Sequence, residues 1–348
     1  MLSMKKLLLT FAVLLNMVVL QAQSNQLSIG NTTAMVYALP KTELYFQITI
    51  ETTVEKPGVF YLYSQRYLAT DQVVMEEKQA ANIVDIQVIT QAAPDWNRRF
   101  VMEVPAKTQA NYGVVVNRQG LLCGLNVPVK HLSDPAIETA TKTTAIATSS
   151  ELLPLTQEYM MAGSTAKLAE GAAKQIYTIR ESRLNLLTGE VDHMPDGKAL
   201  EMMLKELDAK EKLLTELFTG SVSKERKTYT VKYTPERSVE NEVLFRLSSK
   251  RGLIDKHDLS GEPYYISIVP EKIEVQENGG KSEKIGIYTL IPARTQVRIS
   301  NGKEDVYHQE IALPQFGQMI GLPETLLRTP KIKISIDPES GRLLSIEK

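Results

Sequence analysis

Leu44-Tyr45-Phe46-Gln47-Ile48-Thr49-Ile50-Glu51 is the stretch that decides the fold class. Leu44, Phe46, Ile48 and Ile50 alternate with Tyr45, Gln47, Thr49 and Glu51. A period of two is what a strand with one buried face requires. Outward from it, Pro57-Gly58 reads as a turn, and Ile83 to Ile89 repeats the alternation. Val114-Val115-Val116 and Leu121-Leu122 flank Asn117-Arg118-Gln119-Gly120, the pattern of a hairpin with a Gly-containing loop. Thr42 to Asn126 therefore reads as short strands between turns, which suggests a sandwich or barrel rather than βαβ units.

The chain returns to β from Lys227 onward. Thr228–Tyr233, Val243–Leu247, Tyr264–Val269 and Ile285–Ile291 are candidate strands. Val297–Ser300 and Val306–Ile311 flank Asn301-Gly302, a strong hairpin signal. Lys331–Ile336 and Leu343–Ile346 flank Asp337-Pro338-Glu339-Ser340-Gly341, a second hairpin.

Between the β regions lies one helical block. Ala169, Ala172, Ala173, Ile176, Ile179, Leu184 and Leu187 recur at three-and-four spacing, as do Leu200, Met203, Leu204, Leu207, Leu214, Leu217 and Phe218. Gly189 and Gly220 stand where C-terminal caps belong, and Asp196 is placed to cap the second N-terminus. Glu201–Lys205, Glu206–Lys210 and Asp208–Lys212 have favourable i,i+4 polarity. The short turn makes the two helices an antiparallel hairpin, which cannot bury its faces alone and must lie on a β domain or a partner. Thr139 to Ser150 is different again: seven of its twelve residues are Ser or Thr, with no apolar periodicity. The predicted class is α+β, mainly β: two β-rich, sandwich- or barrel-like domains with an inserted two-helix hairpin. The boundaries read as a signal peptide over 1–22, an N-terminal β domain over 23–132, a Ser/Thr-rich linker over 133–154, the hairpin over 155–222 and a C-terminal β domain over 223–348.

The signal rests on Lys5 and Lys6 ahead of an apolar run from Leu7 to Leu20, followed by Leu20-Gln21-Ala22 as a cleavage site. That run of 14 residues falls short of the roughly 20 that span a bilayer. No later stretch reaches that length, so the expectation is an exported chain with no transmembrane helix, in the periplasm, at the outer membrane or secreted. With 40 Lys+Arg against 41 Asp+Glu among 348 residues, there is no basic surplus of the kind that grips nucleic acid. A single cysteine, Cys123, rules out an internal disulfide framework and a multi-cysteine metal site. It lies in the apolar run Leu121–Leu125 and reads as a buried small hydrophobe.

Catalytic signatures are not apparent. His131, His193, His257 and His308 stand alone in their blocks, with no HExxH. His257-Asp258 beside Asp255 reads as solvated turn residues. There is no GxSxG. Gly279-Gly280-Lys281-Ser282 fails as a phosphate loop because Val275 stands where its first Gly belongs. No cofactor is expected. Two features suggest contact instead. Seven of the 22 aromatic residues lie between Tyr37 and Tyr67; Tyr61 and Tyr63 would share a strand face and, with Tyr67, can offer a stacking platform for sugar or peptide. Arg180 and Arg183, one helical turn apart, can hold an anion or a partner carboxylate.

Several segments stand out together: Tyr37-Ala38-Leu39-Pro40-Lys41-Thr42, Pro57-Gly58-Val59-Phe60 with Arg66-Tyr67-Leu68, and Ile179-Arg180-Glu181-Ser182-Arg183-Leu184 through Thr188-Gly189. Ile291-Pro292-Ala293-Arg294 and Pro314-Gln315-Phe316-Gly317 with Leu322-Pro323 complete the set. In combination the chain resembles an uncharacterised family of exported proteins from Bacteroides-type bacteria, a domain of unknown function. The resemblance implies a Gram-negative envelope and assigns no catalytic residue. The expected function is a non-enzymatic envelope protein that binds or assembles through its β domains and hairpin, with an envelope protein as partner or a second copy held by the hairpin. The alternative is an exported carbohydrate-binding or carbohydrate-active protein using the tyrosine-rich segment.

Overall fold

The computed structural model describes residues 26–29, 32–105, 113–132, 161, 163–191, 195–272, 284–327, 329 and 331–348. The signal peptide, the Ser/Thr-rich linker, His193 and the Gly279-Gly280 loop read from the sequence lie outside them. The alternation at 44–50 belongs to a strand much longer than its pattern announced. After β1 (Gln26–Ile29), strand β2 runs over Thr32–Lys56 and pairs antiparallel with β3 (Lys78–Pro105), from Thr32↔Pro105 to Glu55↔Lys78. The sequence reading of short strands gives way here to one two-stranded ribbon. Burial follows the pattern: Leu44, Phe46, Ile48 and Ile50 are buried, while Tyr45, Gln47 and Thr49 are half-buried.

The remaining strands are β4 (Val114–Val116), β5 (Leu122–Leu125), β6 (Ser221–Tyr233), β7 (Val239–Ser248), β8 (Gly252–Ile254), β9 (Glu262–Pro270), β10 (Ile285–Ser300), β11 (Asp305–Pro323), β12 (Lys333–Ile336) and β13 (Leu343–Glu347). They form three antiparallel sheets. In the first, β2 is flanked by β3 on one side and by β1 and β6 on the other. The second has the order β11-β10-β9-β7-β8, and the third β13-β12-β5-β4. Packing is sheet on sheet, with no closed barrel among the described residues.

Two hydrophobic cores result. One packs Leu44, Phe46, Ile48 and Ile50 of β2 on Phe245, Ile266, Ile268, Val297, Ile299 and Leu313. The other gathers Tyr37, Leu39 and Met102 with Leu122, Leu125, Ile287, Leu290, Ile334 and Ile336. Strands from both sides of the hairpin in sequence thus share both cores. The boundaries at 132 and 223 mark where the chain leaves for the hairpin and returns, and neither core is confined to one side of them.

Two ribbons cross from one core to the other, and each bends at the crossing. The β2–β3 ribbon shifts register where Ala38↔Arg99 is followed by Leu39↔Asp95, leaving Trp96, Asn97 and Arg98 as a bulge on β3. The β10–β11 ribbon shifts where Ile291↔Gln318 is followed by Ala293↔Leu313, bulging Pro314-Gln315-Phe316-Gly317. Bulges of this kind bend a strand and raise its twist. The two bends are stapled together. Arg98 pairs with Asp95 at 2.7 Å and donates to the carbonyls of Pro40 and Pro314. Gln315 accepts from the Thr42 N–H at 3.0 Å and donates to the carbonyls of Thr42 and Pro235. Gly317 lies so close to Ile291 that a Cβ there would sit 2.2 Å from its carbonyl oxygen.

Candidate functional site

The helical hairpin is built from α2 (Thr165–Thr188) and α3 (Gly197–Thr219), which follow the one-turn helix α1 (Ser64–Leu68) in the chain. The caps are those read in the sequence. Asp196 accepts from the Ala199 N–H at 2.7 Å, and the chain turns left-handed at Gly189. Small residues on α2 (Ala169, Ala172 and Ala173) allow close approach, and with Ile176 and Ile179 they meet Leu214 and Phe218 of α3.

What anchors the hairpin is the connection between β2 and β3. Phe60 is buried against Phe218, with ring centroids 5.4 Å apart. Its N–H donates to the Leu217 carbonyl at 2.6 Å. Gly58 permits that approach, since a Cβ there would sit 2.3 Å from the same oxygen. Tyr63, Tyr67 and Leu68 pack on this third core, and Tyr177 donates its hydroxyl to the Tyr67 carbonyl at 2.9 Å.

These contacts correct the strand face expected for Tyr61 and Tyr63. Tyr61–Tyr63 is a short 3-10 turn and Ser64–Leu68 an α-helical one, so Tyr61 and Tyr63 share no strand face. The reason is local: beyond Pro57-Gly58 no strand among the described residues pairs with this segment. The backbone bonds to itself instead, Tyr63 N–H to the Phe60 carbonyl, and Ser64 Oγ donates to the Tyr61 carbonyl at 2.7 Å. Tyr67 lies edge-on to Phe218 and under the Arg66 guanidinium. Tyr61 is half-buried, but its two companions serve to seat the hairpin.

Arg180 and Arg183 do hold carboxylates, and those carboxylates belong to the same hairpin. Arg180 meets Glu211 at 2.6 Å; Arg183 meets Glu211 at 2.8 Å and Asp208 at 2.7 Å. Asp208 beside it keeps the Arg183 guanidinium protonated to still higher pH than usual. The expected Asp208–Lys212 pair gives way to this cross-helix contact, and Lys212 leans toward Glu216 instead.

Elsewhere the chemistry is structural. Cys123 is buried, and burial pushes its thiol up, away from nucleophilic use. Asp258 is lowered to about 2 by hydrogen bonds from Ser260 and Arg251 on an exposed turn, where His257 donates its N–H to Asp255. His308 lies 2.9 Å from Gln296 on the exposed face of the β10–β11 ribbon. Among the described residues no group of three or more His, Cys, Asp or Glu is placed to hold a metal. No helix among them is long and apolar enough to cross a membrane.

The hairpin is packed at its base and open toward its tip. Leu184, Leu187, Met202, Met203 and Leu213 are exposed. A groove of about 470 Å³ runs between the helices, floored by Leu186, Met203 and Leu207 and edged by Ser182, Glu206 and Lys210. Sequence reasoning placed Leu184, Leu187 and Met203 with the inward faces of the two helices; all three are exposed, and Met203 lines the open groove.

No curated protein and no solved structure matches this chain. A family profile described as Domain of unknown function (DUF4831) matches residues 33–344. That span takes in both ribbons, their stapled bends and the hairpin, and the chain belongs to the DUF4831 family.

Proposed function

We propose that this is a non-enzymatic protein of the cell envelope, exported by its N-terminal segment, that binds or assembles through the open half of its hairpin. The observation that carries this reading is the contrast within one element. The base of the hairpin is seated by Phe60, Tyr67 and Phe218, while its distal half leaves Leu184, Leu187, Met202 and Met203 in solvent, and Leu213, nearer the base, is exposed as well. Exposed apolar side chains gathered on one element mark an interaction site, and Met202 and Met203 line one groove. Methionine suits the role because its flexible thioether adapts to a partner surface. The stapled β cores then serve as a rigid mount.

The test is crosslinking of tagged mature protein in its own envelope, read by mass spectrometry, with Met203→Glu/Leu213→Glu in parallel. The expected result is a stoichiometric partner that the double variant loses. Turnover of an envelope polymer, abolished by mutating a defined acidic pair, would overturn the reading.

A further inference from the structure

Helix α3 carries two adjacent seams with the same spacing. Leu200, Leu204, Leu207, Glu211, Leu214 and Phe218 are separated by 4, 3, 4, 3 and 4 residues, and this seam faces α2: Leu207, Leu214 and Phe218 sit in the shared core and Glu211 takes Arg180 and Arg183. One residue back, Ala199, Met203, Glu206, Lys210, Leu213 and Leu217 repeat the same intervals. Alternating three-and-four spacing is the pattern by which one helix packs along another. The inner seam has its partner helix. The outer seam is half-buried only at its ends, Ala199 and Leu217; Met203 is 44% exposed, Leu213 46%, and Glu206 and Lys210 are exposed between them. Neither Glu206 nor Lys210 is held in an ion pair among the described residues.

The outer seam is also a palindrome in chemistry. Read from either end about Asp208, it runs small or apolar, apolar, charged, charged, apolar, apolar, and the two central charges are opposite. We propose that a second copy of this chain docks on it, α3 against α3 in antiparallel array about a two-fold axis level with Asp208. In that register Glu206 of each copy meets Lys210 of the other, and Met203 packs on Leu213. The groove edged by Glu206 and Lys210 and floored by Met203 and Leu207 receives the second copy's Leu213. A parallel arrangement would set Glu206 on Glu206 and Lys210 on Lys210, so the charge order selects the antiparallel one. A self-complementary patch is what a two-fold interface demands. The inference rests on the reading of the hairpin as the docking element and names its occupant.

The experiment uses the mature full-length chain. Light scattering at tens of micromolar should give twice the chain mass. Glu206→Lys, which gathers four cations at the axis, should weaken association at least tenfold, as should Lys210→Glu with four anions. The double exchange Glu206→Lys/Lys210→Glu should restore the dimer. All these side chains are exposed, so an unchanged circular dichroism spectrum of each variant checks that folding is intact, while the melting temperature should fall only by the share the dimer supplies. For the register, Met203→Cys mixed with Leu213→Cys should form a disulfide between copies. Met203→Cys alone should not, because two such cysteines in antiparallel helices stand about ten residues, or roughly 15 Å, apart. A wild-type monomer overturns the inference, as does a dimer indifferent to Glu206→Lys, or Met203→Cys that crosslinks to itself. A monomer that still loses an envelope partner on changing Met203 and Leu213 would sink self-pairing alone; a monomer with no such partner would sink the docking reading as well.

Discussion

Gln315 shows how much one side chain can carry. The pairing of β6 with β2 ends at Leu44↔Tyr233, so among the described residues the backbone of Thr42 has no strand neighbour on that side. The Gln315 amide fills the place, accepting from the Thr42 N–H and donating to its carbonyl. Gln315→Ala leaves these buried groups unpaired and should cost about 1–3 kcal/mol in urea unfolding; an unchanged midpoint would contradict the staple. Tyr37 offers a pH signature. Burial raises its hydroxyl to about 12, although the Tyr288 N–H that it accepts acts in the opposite direction. The unfolded hydroxyl titrates near 10, so the folded state keeps a proton that the unfolded chain has lost. The stability this confers is complete below about pH 10 and disappears as pH rises through 12. Tyr37→Phe should therefore give a shallower alkaline unfolding limb than the wild type, with the remaining slope coming from Tyr233, also raised to about 12 by burial, and from other groups raised on folding, among them Cys123, Lys130 and Lys232. Equal limbs would contradict the assignment.

At the scale of elements, the hairpin is held as a unit by Glu211, whose side chain is only 14% exposed and receives both arginines. Glu211→Ala leaves Arg180 without its carboxylate and Arg183 with Asp208 alone, and should lower the melting temperature by a few degrees. Phosphate should not rescue it. Phosphate that stabilised the wild type but not Arg180→Ala/Arg183→Ala would show an anion site after all. The helices, their caps and their antiparallel pairing were legible in the sequence, because each signal is local in the chain. The function of the two arginines was not, since their carboxylates lie 25 and 31 residues away on the other helix. The tyrosine segment misled for a similar reason. Aromatic, alternating residues favour strands only where a neighbouring strand exists to pair with, and past Gly58 there is α3 instead.

For the whole molecule, the β class was readable from residues 44–51, yet the interleaving was not. Period-two alternation tells which side of a strand is buried and says nothing of which strand covers it. That Leu44 and Ile268 share a core, or Leu39 and Ile334, is a non-local fact. Because both ribbons cross both cores and are stapled at their bends, the β regions should unfold together. Calorimetry of the purified chain should show one β transition, with the hairpin melting with it or before it; two separate β transitions would mean that the crossings do not couple the cores.

Function, on this account, resides in what the rigid β mount leaves uncovered. The most direct measurement places a photo-crosslinking amino acid at Met203, and as a control at Thr230 on β6, in the full chain within its native cells. The account predicts one discrete adduct from Met203 and none from Thr230, with an adduct of twice the chain mass identifying a second copy. No adduct from Met203, or equal labelling from both positions, would contradict the hairpin as the docking element.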